Sequence, residues 1–387
     1  MQRLKFISSQ KNFRLKRVIV SVINDLSTDQ RVHKVCTTLT RMGYDVTLVG
    51  RRQRKSIALL PREYKTKRMF LLFEKGPLFY LEFQKRLFWY LLFHKADVMV
   101  ANDLDTLLPN YLVAKFKSSH LVYDSHELFC EVPELQQNPT KRNIWKRLEK
   151  WIFPKLKHVF TVNDSIAEIY SKEYNVEVKV VRNMPPLANS KTIETKTRAE
   201  IGLPEAKKVI VLQGAGINID RGAEEAVQAM QYVTNAVLVI IGSGDVLDVL
   251  KQMVVDLKLQ EKVIFIGKVP FEKLVQYTRL ADLGLTLDKD TNINYHFSLP
   301  NKLFDYLHAG VPVLSSNLVE IAKIISAYKI GDIIDNHKPQ HIADKINSIL
   351  NDEAKLTVWK KNTTIAAEKL NWETEELQLK AVYSQFL

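Results

Sequence analysis

Four polar side chains recur along one predicted helix in the last third of the sequence. Their spacing of i, i+3, i+4 and i+7 places them on one helix face: Ser298, Asn301, Lys302 and Asp305. Pro300 suits the first position of that helix because its missing N–H is not needed there, and Ser298 stands where a cap belongs. Free N–H groups at a helix start, with a lysine beside them, form an anion site.

Asp305 lies about one turn beyond Lys302 and offers a different contact. A carboxylate accepts hydrogen bonds from both hydroxyls of a sugar diol. A phosphate at the helix start with a ribose behind it describes a nucleotide diphosphate. The pattern also fits an ordinary amphipathic helix with a solvated polar face, so this stretch alone leaves both interpretations open.

Glycine-containing turns end three predicted strands of the same half. The turns are Gly214-Ala215-Gly216, Gly242-Ser243-Gly244 and Gly267. Glycine lets a backbone approach a ligand closely, and ligands of open α/β sheets bind where strands end. Arg221, at the start of a predicted helix, carries a permanent charge and a bidentate fork suited to phosphate. The turns lack the GxGxxG fingerprint, and the absence of a Walker motif argues against an NTPase.

These elements belong to two successive arrays of alternating strands and helices, which indicate parallel sheets with right-handed crossovers. In the first array the predicted strands are 17–24, 45–50, 97–101, 121–124, 158–163 and 179–183. In the second they are 208–213, 236–242, 263–267, 283–287 and 311–314. We therefore expect two doubly wound α/β domains with an active site in the cleft between them. A helical tail over 339–387 is expected to be anchored by Trp359 and Trp372.

The segments outside these elements have their own character. Residues 184–196 contain two prolines and no periodicity, and we interpret them as a linker. The predicted domain limits are 1–185, 186–365 and a C-terminal helix at 366–387 that returns to the first domain. Basic loops are predicted at 51–54 and 62–68. The aromatic stretch 69–95 is predicted as one or two helices broken at Gly76-Pro77, which either cover the sheet or face a bilayer.

The net charge of +13 is concentrated in the first half of the chain. Residues 1–190 hold 33 Lys and Arg against 18 Asp and Glu, whereas the rest holds 23 against 25. A basic half suggests an anionic partner, namely membrane headgroups, a phosphorylated acceptor or nucleic acid. Nucleic acid is the least favoured, since no recognition module is evident. Two cysteines, Cys36 and Cys130, indicate a reducing compartment, and neither a signal peptide nor a membrane span is expected.

Taken together, the motifs resemble those of the GT-B glycosyltransferases of the retaining group called glycosyltransferase family 4, or glycosyl transferases group 1. The resemblance is carried by Asp29-Gln30-Arg31, Tyr123-Asp124-Ser125-His126-Glu127, Val181-Arg182-Asn183, Gly214 through Gly222, Ile240-Ile241-Gly242-Ser243-Gly244, Phe265-Ile266-Gly267 and 298–316. It implies two Rossmann-like domains facing a central cleft, the first binding the acceptor and the second a nucleotide sugar. No cofactor is implied.

The resemblance also implies roles for individual residues. Donor binding is expected from Gly214, Gly216, Arg221, Gly242, Gly244, Gly267, Ser298, Lys302 and Asp305. Catalytic roles are expected from His126, near the donor sugar, and from Arg221 and Lys302, which would stabilise the leaving diphosphate. Acceptor binding is expected from Asp29, Arg31 and Asp124, although the first two could simply cap a helix.

Three positions depart from the family pattern. Ala215 stands where an arginine is usual, and Asp305 is one methylene shorter than the usual glutamate. Phe297 replaces a glutamate that normally contacts the transferred sugar. That contact is expected to be lost or moved to one of three neighbours: Asp288, Asp290 or His296.

One further motif resembles a metal site. Asp103-Leu104-Asp105 matches the DxD motif of the other glycosyltransferase fold. Because that fold has one nucleotide domain and this sequence predicts two, we interpret the motif as loop acids and expect no essential metal.

The leading hypothesis is retaining transfer of a sugar to a lipid-linked or polyanionic glycan, in cell-surface polysaccharide or glycolipid synthesis. The expected location is cytoplasmic, at the inner face of the cell membrane through the basic half. One alternative is a nucleotide-sugar epimerase, which shares the fold and uses no acceptor. Another is a glycan- or membrane-binding relative without turnover, which Phe297 permits.

Overall fold

The structure is a computed structural model that describes residues 15–27, 29–54, 56, 58–187 and 196–387. Most of the predicted linker at 184–196 and nearly all of the basic stretch before Arg17 lie outside the described residues.

Neighbouring strands run parallel in both sheets of the described chain, as between the first and second strands of each half. One sheet has the order β3-β2-β1-β4-β5-β6-β7 and the other β10-β9-β8-β11-β12-β13. The strands are β1 Arg17–Asp25, β2 Asp45–Arg52, β3 Lys65–Phe70, β4 Val98–Asn102, β5 His120–Ser125, β6 His158–Thr161, β7 Val178–Val180, β8 Lys208–Gly214, β9 Ala236–Gly242, β10 Val263–Ile266, β11 Leu283–Thr286, β12 Val313–Ser316 and β13 Gly331–Ile334. The predicted pair of doubly wound α/β arrays is confirmed.

Helices connect successive strands on the faces of both sheets. In the first half they are α1 Gln30–Arg41, α2 Gly76–Phe93, α3 Leu104–Lys117, α4 Pro133–Gln136, α5 Pro139–Ile152 and α6 Asp164–Tyr174. In the second half they are α7 Ala223–Ala229, α8 Leu247–Asp256, α9 Phe271–Arg279, α10 Ile293–His296, α11 Asn301–Ala309, α12 Val319–Tyr328, α13 Pro339–Leu350, α14 Glu353–Lys369 and α15 Trp372–Tyr383. Within the described chain, no helix is both long and apolar enough to span a bilayer.

The second sheet is buried on both faces because its strands are apolar throughout. Ile210 and Leu212 face one hydrophobic core, whereas Val209 and Val211 face the other. Side chains of a strand alternate between faces, so a continuous apolar run can supply two cores at once. Trp359 lies at the edge of the first of these cores. The predicted burial of Trp359 and Trp372 is confirmed.

The chain divides into two compact units that do not follow the sequence order strictly. The first unit contains the described residues up to Ser125 together with Leu148–Phe160 and Leu379–Leu387. The second contains His126–Arg147 and Thr161–Gln378. Within the first unit, the Tyr44 hydroxyl donates a hydrogen bond of 2.6 Å to the backbone oxygen of Tyr383. The Tyr383 ring also stacks on the buried Phe160, with centroids 6.4 Å apart, so residues 379–387 complete the core of this unit.

Two predictions about residues 62–95 were wrong. The predicted basic loop at 62–68 contains the start of β3, which pairs with β2 on one side only. Its charged residues hid the strand, although charge is a common feature of exposed edge strands because it discourages pairing with other chains. The stretch 69–95 holds one helix, α2, which starts at Gly76, whereas the residues before it form the end of β3 and a loop.

Asp105 is not a loop acid, whereas Asp103 lies in the bend between β4 and the next helix. The helix α3 begins at Leu104, so Asp103 is its N-cap and Asp105 lies in its first turn, where it is buried. The sequence prediction failed because a DxD triplet after a strand also fits the start of a helix, where acids are favoured.

Candidate functional site

Two glycine turns at the carboxyl ends of β8 and β9 are hydrogen-bonded to each other. The Ser243 N–H donates to the Gly214 oxygen at 3.2 Å, and the Ile217 N–H donates to the Ser243 oxygen at 2.9 Å. Gly242 has φ +133°, and an added Cβ would lie 1.8 Å from the Gly214 oxygen. A Cβ on Gly244 would lie 2.0 Å from the Ile217 oxygen. These two glycines are therefore required for the contact between the turns.

The other glycines of the predicted donor site have open space beside them. A Cβ on Gly214 would have its nearest neighbour at 3.8 Å, and one on Gly267 would meet nothing within 4 Å. Gly216 would meet only the Asn218 side chain, at 3.6 Å. The sequence does not distinguish the two kinds of glycine, but the structure separates those that shape the turns from those with open space beside them.

Arg221 and Lys302 meet at one buried carboxylate. Arg221 Nη1 lies 3.1 Å from Asp288 Oδ1, and Lys302 Nζ lies 3.4 Å from Asp288 Oδ2. Asp288 follows β11, and the Thr286 hydroxyl donates to its Oδ2 at 3.2 Å. Three elements therefore contribute to this cluster: the loop before α7, the end of β11 and the first turn of α11. Arg221 and Lys302, which the sequence analysis proposed on separate grounds, therefore contact the same carboxylate.

The charges of this cluster stabilise one another. Burial alone raises the pKa of the Asp288 carboxyl, but Lys302 and Arg221 outweigh burial and hold that pKa below its ordinary value. Burial lowers the pKa of Arg221, whereas Asp288, Tyr295 and Glu127 raise it, with a net increase. The carboxylate and guanidinium therefore stay charged across the physiological range.

Tyr295 supports the Arg221 guanidinium from one side. The guanidinium carbon lies 4.1 Å from the centre of the Tyr295 ring, in cation–π geometry. Tyr295 is in the short helix α10, which Asn292 caps by accepting a hydrogen bond from the Tyr295 N–H. Contacts with Tyr295 and Asp288 leave the guanidinium little freedom to rotate, so its fork is oriented before a ligand arrives.

Ser298 does not cap the helix as predicted. Pro300 is the N-cap of α11, the helix begins at Asn301, and no side chain caps it. The Ser298 N–H donates to the Tyr295 oxygen, which places Ser298 in a turn closing α10 instead. Its hydroxyl oxygen is buried and has no hydrogen-bond partner among the described residues. A buried, unsatisfied hydroxyl beside an uncapped helix start is suited to an anionic ligand.

Asp305 is held by a chain of hydrogen bonds that the sequence did not suggest. Gln213 Nε2 donates to Asp305 Oδ2 at 3.1 Å, and the Thr278 hydroxyl donates to Gln213 Oε1 at 2.6 Å. Gln213 is the buried residue just before the first glycine turn. The position of Asp305 is therefore coupled to the end of β8.

The segment that contains His126 is tied to α10. The Asn294 side chain donates to Glu127 Oε2 at 3.1 Å and accepts from the Leu128 N–H at 3.1 Å. Glu127 is also close enough to Arg221 to raise its pKa. His126 itself is half-buried. The structure therefore brings the histidine-bearing segment to the same region as the cation cluster, through Asn294.

The region around Phe297 shows which neighbours remain accessible. Asp288 is fully buried and its carboxylate is engaged by the two cations, so it does not present a free surface to a sugar. Asp290 and His296 are more exposed and form a pair, with Oδ2 and Nδ1 2.8 Å apart. The Phe297 ring packs edge-on against His296, with centroids 4.5 Å apart. Asp290 and His296 are the neighbours with accessible polar groups.

The residues predicted to bind the acceptor lie in the first unit. The Arg31 guanidinium forms two hydrogen bonds to Asp124, of 3.1 and 2.6 Å, and each side chain is only 3% exposed. Asp29 is the N-cap of α1 and accepts from the Val32 N–H at 3.0 Å. The structure brings Arg31 and Asp124 together, and their burial favours a supporting role. Acceptor binding by these three residues stays a prediction.

The remaining candidate reactive groups are the two cysteines and the side chains that could bind a metal ion. Cys36 and Cys130 are buried and not disulfide-bonded, and burial raises the pKa of the Cys36 thiol far above its ordinary value. Among the described residues, no group of three or more His, Cys, Asp and Glu side chains is arranged to hold a metal ion.

Two doubly wound parallel α/β sheets, of seven and six strands, define a protein of the GT-B class. The model of the family described as Glycosyl transferases group 1 matches residues 194–365, and that of Glycosyltransferase Family 4 matches residues 29–185. The two matches together cover most of the chain, which belongs to this group of GT-B glycosyltransferases.

Individual relatives are distant in sequence. An uncharacterized glycosyltransferase of Methanocaldococcus jannaschii is 27% identical over 205 residues, covering 50% of this chain and 51% of that protein. The chain spans about half the length of the curated relatives it matches.

Two solved structures show the same fold over nearly their whole length. Sucrose-phosphate synthase from Thermosynechococcus elongatus has a TM-score of 0.77 at 17% identity, covering 96% of this chain and 98% of its own. Anabaena HepE, in complex with UDP-glucose, has a TM-score of 0.74 at 14% identity, with coverages of 95% and 99%.

Proposed function

We propose that the protein is a retaining glycosyltransferase that moves a hexose or related sugar from a nucleotide diphosphate to a glycan or lipid-linked acceptor. The observation that carries the proposal is the convergence of Arg221 and Lys302 on Asp288. Two oriented cations at the ends of parallel strands, next to an uncapped helix start, form a site for a doubly charged diphosphate.

The remaining donor contacts follow from the same geometry. The diphosphate would bind to Arg221 and Lys302, with the Ser298 hydroxyl able to donate to a phosphate oxygen. Asp305, held by Gln213, would accept hydrogen bonds from the ribose hydroxyls. The open space beside Gly214 would let the backbone approach the nucleotide.

The proposed chemistry is a front-face displacement. The acceptor oxygen forms a bond to the anomeric carbon on the face from which the diphosphate leaves, and the acceptor proton passes to the leaving phosphate. Negative charge grows on that phosphate, and Arg221 and Lys302 stabilise it without a divalent metal. Both oxygens of Asp288 are engaged by cations, so this nearby carboxylate is not placed as a nucleophile. His126 would orient the donor sugar.

The proposed donor and acceptor are supported by a fold neighbour and by the charge distribution of the sequence. The fold neighbour HepE binds UDP-glucose, which supports a nucleotide-sugar donor. The excess of Lys and Arg in residues 1–190 supports an anionic acceptor, such as a lipid-linked or polyanionic glycan. The proposal therefore includes synthesis of a surface polysaccharide or glycolipid at the cytoplasmic face of a membrane.

Calorimetric titration with UDP, GDP, ADP and dTDP in the presence of EDTA tests the donor site. Arg221→Ala and Lys302→Ala should each weaken binding of the preferred diphosphate by roughly 10- to 100-fold, because each removes a charge-assisted contact. Lys251→Ala is the matched control, since Lys251 is an exposed lysine on α8. If no diphosphate binds, or if the control loses as much affinity, the donor-site proposal is wrong.

Product analysis by mass spectrometry with the matching nucleotide sugar separates the activities. Transfer releases nucleoside diphosphate and depends on an acceptor, whereas an epimerase changes the donor sugar without an acceptor.

A further inference from the structure

The helix α2 is apolar on both its inner and outer sides, which is unusual for a helix at a protein surface. Its inner side is buried against the first sheet and α3 through four residues: Phe79, Phe83, Leu87 and Leu91. A surface helix of a globular protein normally turns polar residues outward. The outward side of α2 instead needs an explanation beyond the packing of the first unit.

The outer face of α2, defined by five residues spaced three or four apart, carries one charge. These residues are Leu78, Leu81, Lys85, Trp89 and Phe93. Leu81 is 66% exposed, Trp89 46% and Phe93 76%. The rings of Trp89 and Phe93 stack on each other, with centroids 5.7 Å apart and an interplanar angle of 14°. Apart from Lys85, the outer face is an apolar strip and not a scatter of single exposed residues.

The loop before α2 extends the strip. Leu72 and Phe73, which we call the apolar tip, are both exposed. The Glu82 carboxylate accepts hydrogen bonds from their backbone N–H groups, at 2.9 Å from Leu72 and 3.1 Å from Phe73. On the other side, Arg51 Nη1 donates to the Glu74 oxygen at 3.4 Å. The backbone is therefore fixed so that both side chains of the tip stay outside the core.

One exposed cation, Lys85, lies within the strip, and others lie in the adjoining segments. Arg52, Lys75, Lys85 and Lys95 are exposed, and none of them forms an ion pair with another described residue. The nearby acid Glu82 is already engaged by the tip and by Arg86. The strip and its adjoining segments therefore carry uncompensated positive charge.

This combination fits a bilayer better than a second copy of the chain. Two copies meeting through this face would bring cations of the same sign together, which is unfavourable. An anionic bilayer accepts the apolar side chains at the acyl boundary and places headgroups against the cations. An 18-residue helix lying flat offers about 27 Å of contact at 1.5 Å per residue.

We propose that the outer face of α2 and the apolar tip dock on an anionic phospholipid bilayer, with the helix axis in the membrane plane. Docking extends the proposed function, because it would hold the enzyme where a lipid-linked acceptor resides. The surface itself is independent of the donor site, which lies on other residues.

Flotation of the full chain with phosphatidylcholine vesicles, with and without phosphatidylglycerol, tests the proposal. The wild type should float with the anionic vesicles and be released by high salt. Leu81→Glu combined with Trp89→Glu should lower the bound fraction at least about tenfold, since it places two carboxylates against headgroups and acyl chains. The matched control is Val249→Glu with Val255→Glu on α8, where the native side chains are 57% and 54% exposed.

Several results would overturn the docking proposal. The proposal is wrong if the wild type does not float, or if the Leu81/Trp89 variant floats as well as the wild type. It is also wrong if the control variant loses as much of its bound fraction as the Leu81/Trp89 variant. A dimer in solution that the Leu81/Trp89 variant dissociates, without vesicle binding, would assign the face to a second copy. Titration of the same variants with nucleoside diphosphate, without vesicles, separates the two proposals: affinity should be unchanged whether or not docking fails.

Discussion

Asp288 is the residue on which the geometry of the candidate donor site depends. Its two oxygens hold cations from separate elements, and the pair would diverge without it. A buried acid kept ionised by its partners stabilises the fold only while it stays ionised. The same contacts therefore link the shape of the site to its stability.

Asp288→Asn should lower the free energy of unfolding by about 2–4 kcal/mol at pH 7, since it leaves two partly buried cations without a carboxylate. The pKa of Asp288 in the folded state lies below the unfolded value of 3.8. Its ionisation therefore stabilises the fold above about pH 4, and this contribution disappears as the pH falls through the folded-state pKa. Acidification below that point should destabilise the wild type more than the variant.

Urea unfolding of wild type and Asp288→Asn at several pH values measures this difference. Asp248→Asn is the control, because Asp248 also pairs with a lysine but is 98% exposed. A wild type and an Asp288→Asn variant with the same unfolding free energy at pH 7 would show that the ion cluster contributes nothing to the fold.

The sequence supplied some of these residues but not their connection. Arg221 and Lys302 could be proposed as phosphate ligands because each stands at a predicted helix start, where N–H groups and cations favour anions. From the sequence, Asp288 could be named only as a polar neighbour of Phe297. Nothing in a sequence shows that an acid after β11 lies between two cations. Gln213 looked like the polar end of an apolar strand, and its contact with Asp305 joins residues far apart in the chain.

At the scale of elements, the two glycine turns shape the backbone at the carboxyl ends of β8 and β9. The two turns contact each other through backbone atoms, so their shape depends on residues without side chains. The turns after β8 and β9 thus behave as one unit, although either turn alone is a weak motif in the sequence.

Gly242→Ala should destabilise the protein by on the order of 3 kcal/mol or more, because the backbone there has φ +133° and an added Cβ would lie 1.8 Å from the Gly214 oxygen. Gly214→Ala should leave the unfolding free energy within about 1 kcal/mol, since its nearest neighbour would lie at 3.8 Å, but should weaken nucleotide binding.

Thermal unfolding and calorimetric titration of the two variants separate these effects. Gly267→Ala is the control for the effect of the substitution on stability alone, since a Cβ there would meet nothing within 4 Å. An equally stable Gly242→Ala variant would contradict the role assigned to that glycine.

Elements also show where prediction from sequence fails. The parallel, doubly wound order could be predicted because apolar runs alternate with amphipathic segments. The strand β3 could not, because an edge strand needs only one partner and its outward residues carry charge. The helix α2 was predicted, yet most of its exposed side is apolar as well as its buried side, so the sequence left its surroundings undecided.

At the scale of the whole molecule, the residues proposed to bind the donor are all in the second compact unit. His126 and Glu127 belong to that unit too, although they follow β5 of the first sheet. Ligand binding should therefore stabilise one unit specifically.

A saturating nucleoside diphosphate should slow amide hydrogen exchange in 213–222 and 286–305, and leave β1 and β2 unchanged. At a ligand concentration of 100 times Kd, the expected stabilisation of the second unit is about 2.7 kcal/mol. Exchange followed by mass spectrometry measures both regions in one experiment, with Arg221→Ala as the variant that should lose the effect. Protection confined to β1 and β2 would place the ligand elsewhere.

The contacts of residues 379–387 with the first unit have a consequence for biogenesis. A ribosome releases Tyr44 and Phe160 long before it makes Tyr383, yet these buried residues are in contact. The nascent first unit therefore stays incomplete, with part of its apolar surface exposed to solvent, while the second unit is translated. The amino-terminal half is therefore completed only after the second half has been made, and removing residues 379–387 would impair the half of the protein that is synthesised first.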